Sequence, residues 1–385
     1  MQAAAARQPM RRGIYDCNTI FCRQGLSLRR LFLRKEKNFK MKKSSWGKTA
    51  DGAAISLFTL TSGKIEVQIT DFGAHLVAVR TPDRNGSVAD IALGFNSAEG
   101  YLNRPNAYLG SVVGRYANRI AKGHFAIDGK DYQVPINNGP NALHGGPEGF
   151  DRYLWKAEEV TNGVEFTHVS PDGDMGFPGT MTARVRYTLE GDTLRLGYSA
   201  TTDKPTIVNL TNHVYFNMRG DDDGDILGHV VELNADKFTP VDGGQIPTGE
   251  IAPVAGTPLD FRTPKAIGER INQDYDQLKL CRGYDHNFVV NGQAGSLRQA
   301  ARVTEPESGR TMTVETTEPG FQLYSGNFLN GALTGRHGKK YEPRTGFCVE
   351  TQQFPDAPHH ANFPSTVLRP GETMRSTTTF RFGAE

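Results

Sequence analysis

The chain has 385 residues, 37% hydrophobic and 22% charged, enough to bury a large core as one big all-β domain or two ordinary domains. Its net charge of +2 conceals a split: residues 1–43 hold twelve Lys/Arg against Asp16 and Glu36, so acids outnumber bases in the remainder. A mildly acidic body argues against nucleic-acid or anionic-membrane binding, and no run approaches the roughly 18 apolar residues of a membrane span.

Residues 1–43 lack the apolar core of a secretory signal and are basic and poor in acids, which fits a disordered or transit-like leader. Alternatively, translation starts at Met41 and the segment is an artefact. The four cysteines (17, 22, 281, 348) form neither a disulfide framework nor a zinc spacing, as expected in a reducing compartment. A cytoplasmic location follows, with the basic leader keeping an organelle open.

From Ile55 the pattern is strand after strand. Residues 55–60 and 64–70 alternate apolar and polar with period two, and 75–80 follows before the turn at 82–86. Asp128-Gly129 between 125–127 and 132–134 marks a hairpin, as does Glu190-Gly-Asp192 between 180–189 and 193–199. Further strands are expected at 164–169, 205–210, 286–291, 297–304, 311–317, 346–351 and 373–382. Helices are expected only at 97–102 and 265–272. Many short antiparallel strands with turn signals point to a large sandwich or barrel, and 46–383 reads as a single domain.

Gly123 to Gly129-Lys130 has the wrong spacing for a phosphate loop. Asp221-Asp-Asp-Gly-Asp225 lacks the spacing and distal Glu of a calcium loop.

Five stretches carry polar side chains at loops or strand ends: 114–120 with Asn118 and Arg119, 141–146 with His144, 209–217 with His213, 283–289 with Asp285, and 346–358 with Glu350. A rigid scaffold commonly presents chemistry at such places. Taken singly each has a plainer reading: a turn cap at Asn141, a satisfied core histidine at His213, an Asx-turn at Asp285, a solvated strand-end acid at Glu350. If Glu350 faces inward, burial should raise its pKa toward the range useful to a general base.

Residues 114–120, 141–146, 209–217, 283–289, 319–329 and 347–358 resemble, in order, the signature segments of the aldose 1-epimerase (galactose mutarotase) family, over roughly 46–383. The resemblance implies an all-β fold, a large antiparallel β-supersandwich whose concave face holds a hexose. It implies Glu350 as general base and His213 as general acid. Asn118, Arg119, His144, Asp285 and Gln322 would bind the sugar and assist, and no role is carried to Arg115 or His286. The chemistry so implied is proton transfer alone, needing no metal or cofactor, in a protein that is by default a monomer with a small aldose as its partner. Glu350 would rest ionised and His213 protonated, with Phe321, Tyr324 or Phe347 as an aromatic wall.

Three other readings share these residues. A hexose-6-phosphate mutarotase would need several cations converging on the rim, and the segments supply only Arg115 and Arg119. A glycoside hydrolase would use Asp285 and Glu350 as its two carboxylates and would not need a histidine acid. A non-catalytic hexose-binding module would need no base–acid pair.

Overall fold

The computed structural model describes residues 39–103 and 107–385. Strands dominate it, and every ladder between them is antiparallel. A five-stranded meander runs Lys40–Lys48, Ala54–Ser62, Ile65–Thr70, Leu76–Pro82, Val88–Asp90. A nine-stranded sheet carries, in spatial order, Lys156–Val160, Gly163–Ser170, Met181–Glu190, Thr193–Thr202, Met374–Ala384, Arg310–Thr316, Arg298–Thr304, Val230–Leu233 and Lys265–Ala266. A second five-stranded sheet, the floor of the site, is ordered Ala252–Pro253, Lys237–Thr239, Asp285–Val289, Gly320–Tyr324, Cys348–Gln352.

Period-two patterning explains the large sheet. In Met181–Glu190 the inward residues Met181, Ala183, Val185, Tyr187 and Leu189 are buried, while Arg184 and Arg186 stand in solvent. The floor sheet is different, because both of its faces are covered. Phe288, Phe321, Leu323 and Val349 turn toward the main core, where Phe288 and Phe321 stack at 5.6 Å. Thr351 on that face meets Thr378 of the nine-stranded sheet through their hydroxyls. Side chains alternate across a strand, so Asp285, Gln322, Tyr324, Cys348 and Glu350 point the other way, and the register pairs Gln322 with Glu350.

Most expected elements are present, with instructive differences. The strand Lys40–Lys48 begins inside the segment expected as a leader and pairs with Ala54–Ser62. Its charged pattern hides it, because only one face packs on the domain. Residues 1–38, the rest of that segment, lie outside the described residues. The expected 205–210 run keeps only Thr206–Ile207 as a strand, and a second short strand, Thr211–Asn212, lies just beyond it; between them Asn209 donates its side-chain amide to the Ala117 and Gln353 carbonyls. A helix forms at Ala98–Leu102, but 265–272 gives the edge strand Lys265–Ala266 and a 3₁₀ turn at Ile267–Glu269. The other α-helix, Asp276–Cys281, buries only Leu278 and Cys281 and is too short to show a period. No helix among the described residues is long and apolar enough to cross a membrane.

Phe321, fully buried between the floor and the main core, should cost about 3–5 kcal/mol on truncation to Ala. Urea unfolding measures this. A loss below about 1 kcal/mol would mean that the floor is not anchored there.

Candidate active site

A cleft of about 230 Å³ opens over the outward face of the floor sheet, smaller than the roughly 300–1,000 Å³ of drug-sized sites. Glu350, Asp285, His213, His144, Asn118 and Arg119 all line it. Gln322, the remaining expected residue, lies behind them and donates from Nε2 to Asp285 Oδ1 at 2.7 Å, so it orients that carboxylate rather than forming the surface.

Each side chain is placed by backbone that has little freedom. Glu350 is the middle residue of Cys348–Gln352, not the strand end expected from the sequence. His213 follows the short strand Thr211–Asn212. Its N–H donates to the Ser111 carbonyl at 2.9 Å and its carbonyl accepts from Gly110 N–H at 3.0 Å. The next residues run beside the floor sheet, Phe216 and Phe347 exchanging both backbone hydrogen bonds. His213 Nε2 thereby lies 3.6 Å from Glu350 Oε1.

His144 is set by a close crossing of two loops. Its N–H donates to the Asn118 carbonyl at 3.0 Å, and Asn118 N–H donates to His144 Nδ1 at 3.1 Å. A Cβ on Gly145 would sit 2.1 Å from the Gly114 carbonyl oxygen, and its φ of +88° suits glycine besides. That glycine serves the approach of one backbone to another. Ala107, Tyr108, Asn118, His144 and Gln245, all lining the cleft, have positive φ without being glycine. Each such residue stores strain of roughly 1–3 kcal/mol, held by the surrounding hydrogen bonds.

Electrostatics follow from burial. Desolvation pushes the Glu350 carboxyl well above its usual range, with Asp285 adding to the rise and Arg119 opposing it. Desolvation likewise raises Asp285, against Arg119 and Gln322. It lowers His213 to about 4 and drives His144 well down, helped by His213 and Arg119. The 3.6 Å contact alone would favour an ion pair, but loss of water acts oppositely on both partners and is the larger effect. The expected resting pair of carboxylate and imidazolium is therefore corrected. Burial favours neutral Glu350 and neutral His213, with the same single proton between them.

Arg119 donates from Nε to Asn138 Oδ1 at 3.1 Å and from Nη2 to Gln245 Oε1, rather than to His144 or a carboxylate. Asn138 and Gln245 lie in loops whose polar composition carries no signal of a site. The aromatic wall also differs from expectation: Phe321 and Phe347 face the core. Tyr324 does line the cleft, with Tyr108, Tyr215 and the half-exposed Phe328. His286 turns away, toward Phe238 and Cys281. Arg115 is a buried tether to Ser170 and the Pro171 and Pro178 carbonyls.

His144, His213 and Glu350 bring ligand atoms within 4.8 Å of one another, a donor set known from zinc sites. The hydrogen bonding does not suit a metal. A histidine ligand normally donates its other ring N–H, whereas His144 Nδ1 accepts from a backbone N–H. That fixes the ring proton on Nε2 and removes the lone pair a metal would need. In a second group, Asp221, Asp222 and His337, Asp221 is already paired with Arg336 at 2.7 Å.

The sequence profile of the aldose 1-epimerase family matches residues 56–381. The chain is 47% identical to the galactose mutarotase of Bos taurus over 328 residues, 85% of this chain and 94% of that one. It is 41% identical to the aldose 1-epimerase of Escherichia coli K12 over 340 residues, covering 87% and 97%. The crystal structure of galactose 1-epimerase from Lactobacillus acidophilus superposes with a TM-score of 0.78 at 30% identity, covering 90% of this chain and 99% of that one.

A carboxyl whose folded pKa is raised contributes stability that is fully present below its unfolded pKa and lost as pH rises through the folded value. Glu350→Gln removes that titration. The melting temperature of the variant minus that of the wild type should therefore grow as pH increases from 5 to 8. A difference that is flat or shrinks would show that Glu350 is not desolvated.

Proposed function

The chain belongs to the aldose 1-epimerase family and interconverts the α and β anomers of aldoses; we propose that Glu350 and His213 carry this reaction on free hexoses such as galactose and glucose. The observation that supports it most is the single buried contact, 3.6 Å between His213 Nε2 and Glu350 Oε1, in a cleft of sugar size. Two oxygens on one carbon, the anomeric hydroxyl and the ring oxygen, are what a base and an acid so close together can address at once.

In the proposed cycle the proton of neutral Glu350 first passes to His213 Nε2 across their 3.6 Å contact, and the carboxylate so formed takes the proton of the anomeric hydroxyl. The bond from C1 to the ring oxygen breaks, and His213 gives its Nε2 proton to that oxygen. The product is the open-chain aldehyde, with Glu350 protonated and His213 neutral. Rotation about C1–C2 presents the other carbonyl face. The proton transfers then reverse and the ring closes as the other anomer, so no proton is gained or lost overall. Each proton transfer contributes about 10²–10⁴-fold.

Asp285 would accept from sugar hydroxyls, with its orientation kept by Gln322. His144, its proton fixed on Nε2, would donate to a sugar oxygen. Asn118 turns its side-chain carbonyl onto the Arg119 N–H at 2.9 Å, leaving its amide N–H groups for the substrate. Tyr108, Tyr324 and Phe328 supply apolar surface for the pyranose. Arg119 is the one Lys or Arg lining the cleft among the described residues, and its partners are Asn138 and Gln245. This favours an unphosphorylated sugar over a hexose 6-phosphate. The buried free thiols of Cys281 and Cys348 fit a cytoplasmic enzyme.

Polarimetry on fresh α-D-galactose and α-D-glucose tests the assignment. Glu350→Gln and His213→Asn should each lower kcat by at least about 10²-fold with cooperative unfolding retained; near-wild-type rates in either would refute it. Asp285→Asn should mainly raise KM, and a pure kcat effect would argue against a binding role. The pair works with one proton, and His213 takes a second only near pH 4. Activity should therefore persist at pH 5, where an unperturbed histidine of pKa about 6.5 would already be charged.

A further inference from the structure

A guanidinium close to carboxyls ordinarily takes one of them in a bidentate pair, two parallel N–H donors from one edge of its fork onto two oxygens. Arg119 does not. It lines the cleft with Glu350 and Asp285, and both carboxyls feel its charge, yet among the described residues it makes no ion pair with either. The Nε–Nη2 edge of its fork is held instead by two neutral amides. Nε donates to Asn138 Oδ1 at 3.1 Å, and Nη2 donates to Gln245 Oε1. The backbone is pinned as well: Arg119 N–H donates to Asn118 Oδ1 at 2.9 Å, and its carbonyl accepts from Asp356 N–H at 2.9 Å.

Gln245 stands in the turn between Val241 and Pro247, with a φ of +59°. Its N–H donates to the Asp242 carbonyl at 2.9 Å. Asp242 Oδ1 accepts from Gly244 N–H at 2.8 Å and from Ile246 N–H at 3.0 Å. Asn141 Nδ2 donates to the Gly244 carbonyl at 3.2 Å, and Asn141 and Asn138 exchange backbone hydrogen bonds. The two amides that hold Arg119 are thus tied to one another through Asn141.

We propose that Gln245, seconded by Asn138, is a positioning residue for the reaction: the two amide oxygens keep the Arg119 guanidinium beside Glu350 and Asp285 without letting it bind either. This deepens the assignment of Glu350 as base and Asp285 as sugar acceptor, and rests on it. A guanidinium seated on Asp285 would occupy oxygens that the sugar hydroxyls need. Seated on Glu350, it would stabilise the carboxylate and so remove the one proton that the pair works with. Neutral amides take up the donors without cancelling the charge, so Arg119 still acts on both carboxyls through space.

The other groups around Glu350 and Arg119 leave this charge in command. Burial keeps His213 and His144 neutral. It also holds the protons on Tyr215, Tyr324 and Cys348, and on Cys281 beside Gln245. Asp356, behind the Arg119 backbone, is paired with His359 and His360. Asp285 and Arg119 remain as the groups that decide where Glu350 loses its proton.

The test uses the full-length protein and three changes: Gln245→Met, which keeps the shape and loses the acceptor; Gln245→Glu, which keeps an acceptor and adds a charge; and Gln245→Met in an Arg119→Met background. On the alkaline side kcat/KM falls as Glu350 loses its proton. Carbon-13 NMR of labelled glutamate carboxyls, with Glu350→Gln to assign the signal, reads the same titration without turnover. In Gln245→Met the freed Nη2 turns to the carboxyls. The Glu350 titration and the alkaline limb should move down by about one unit, and KM should rise about tenfold. In Gln245→Glu the new carboxylate offsets Arg119, so titration and limb should move up, with KM within about threefold of wild type. In the Arg119→Met background Gln245→Met should move neither. A Gln245→Met variant with wild-type titration and KM, shifts of the same sign in both single variants, or a full Gln245 effect without Arg119 would each overturn the proposal. Normal turnover by Glu350→Gln would instead defeat the base assignment, while the NMR titration still reports whether Gln245 restrains Arg119.

Discussion

The site depends on two strands, Gly320–Tyr324 and Cys348–Gln352, being buried on both faces at once. One face must be apolar enough to close the main core, and Phe321, Leu323 and Val349 meet that requirement. The other is then free to be polar, and it carries Gln322, Tyr324, Cys348 and Glu350. Because side chains alternate strictly, slipping either strand by one residue would exchange the two sets. Val349 or Thr351 would enter the cleft, and the Glu350 carboxyl would enter hydrocarbon. The register that pairs Gln322 with Glu350 is thus enforced by the core, and the chemistry inherits its geometry from packing.

Burial also sets the energetics of the reaction proposed here. Neutral Glu350 with neutral His213 is the form that desolvation favours, and it is also the form the pair takes once the sugar ring is open. Removing water therefore disfavours the charged pair through which ring opening and ring closure both pass. The bias has to remain moderate, since ring closure restores the charged pair. Arg119 supplies the restraint by opposing the rise of both Glu350 and Asp285. The neutral resting pair and the charged reactive pair are thereby brought closer in free energy than burial alone would place them.

The sequence was informative where chemistry and periodicity coincide. Six of the seven expected site residues line one cleft, because each stands in a segment whose glycines, amides and aromatics mark a tight backbone setting. The long alternating strands at 180–189 and 193–199 were readable for the same reason: solvent takes one face and the core the other. What escaped was context. Lys40–Lys48 looks like leader because an edge strand needs only a few inward residues. Phe321 and Phe347 looked like a sugar platform because their face depends on a register no single segment reveals. Asn138 and Gln245 were missed because an amide in a loop is ordinary until Arg119 reaches it. The neutral resting pair was missed because a sequence gives two charges and not the water around them.

The polar atoms left without a protein partner say something further about what the cleft is built to hold. Glu350 Oε2 is buried with no hydrogen bond from the protein, and such an atom costs on the order of 1–3 kcal/mol. A flat apolar ligand would leave that cost in place. A molecule dense in hydroxyls can donate to the carboxyl oxygens and accept from the N–H groups of Asn118 and His144 within one ring's breadth. The strain at Tyr108, Asn118, His144 and Gln245 acts in the same direction, because donors already locked in place lose little entropy when the ligand arrives. Selectivity for a sugar therefore arises as much from polar groups the fold leaves unsatisfied as from the contacts it makes, and a cleft satisfied by its own side chains would have had no reason to prefer one.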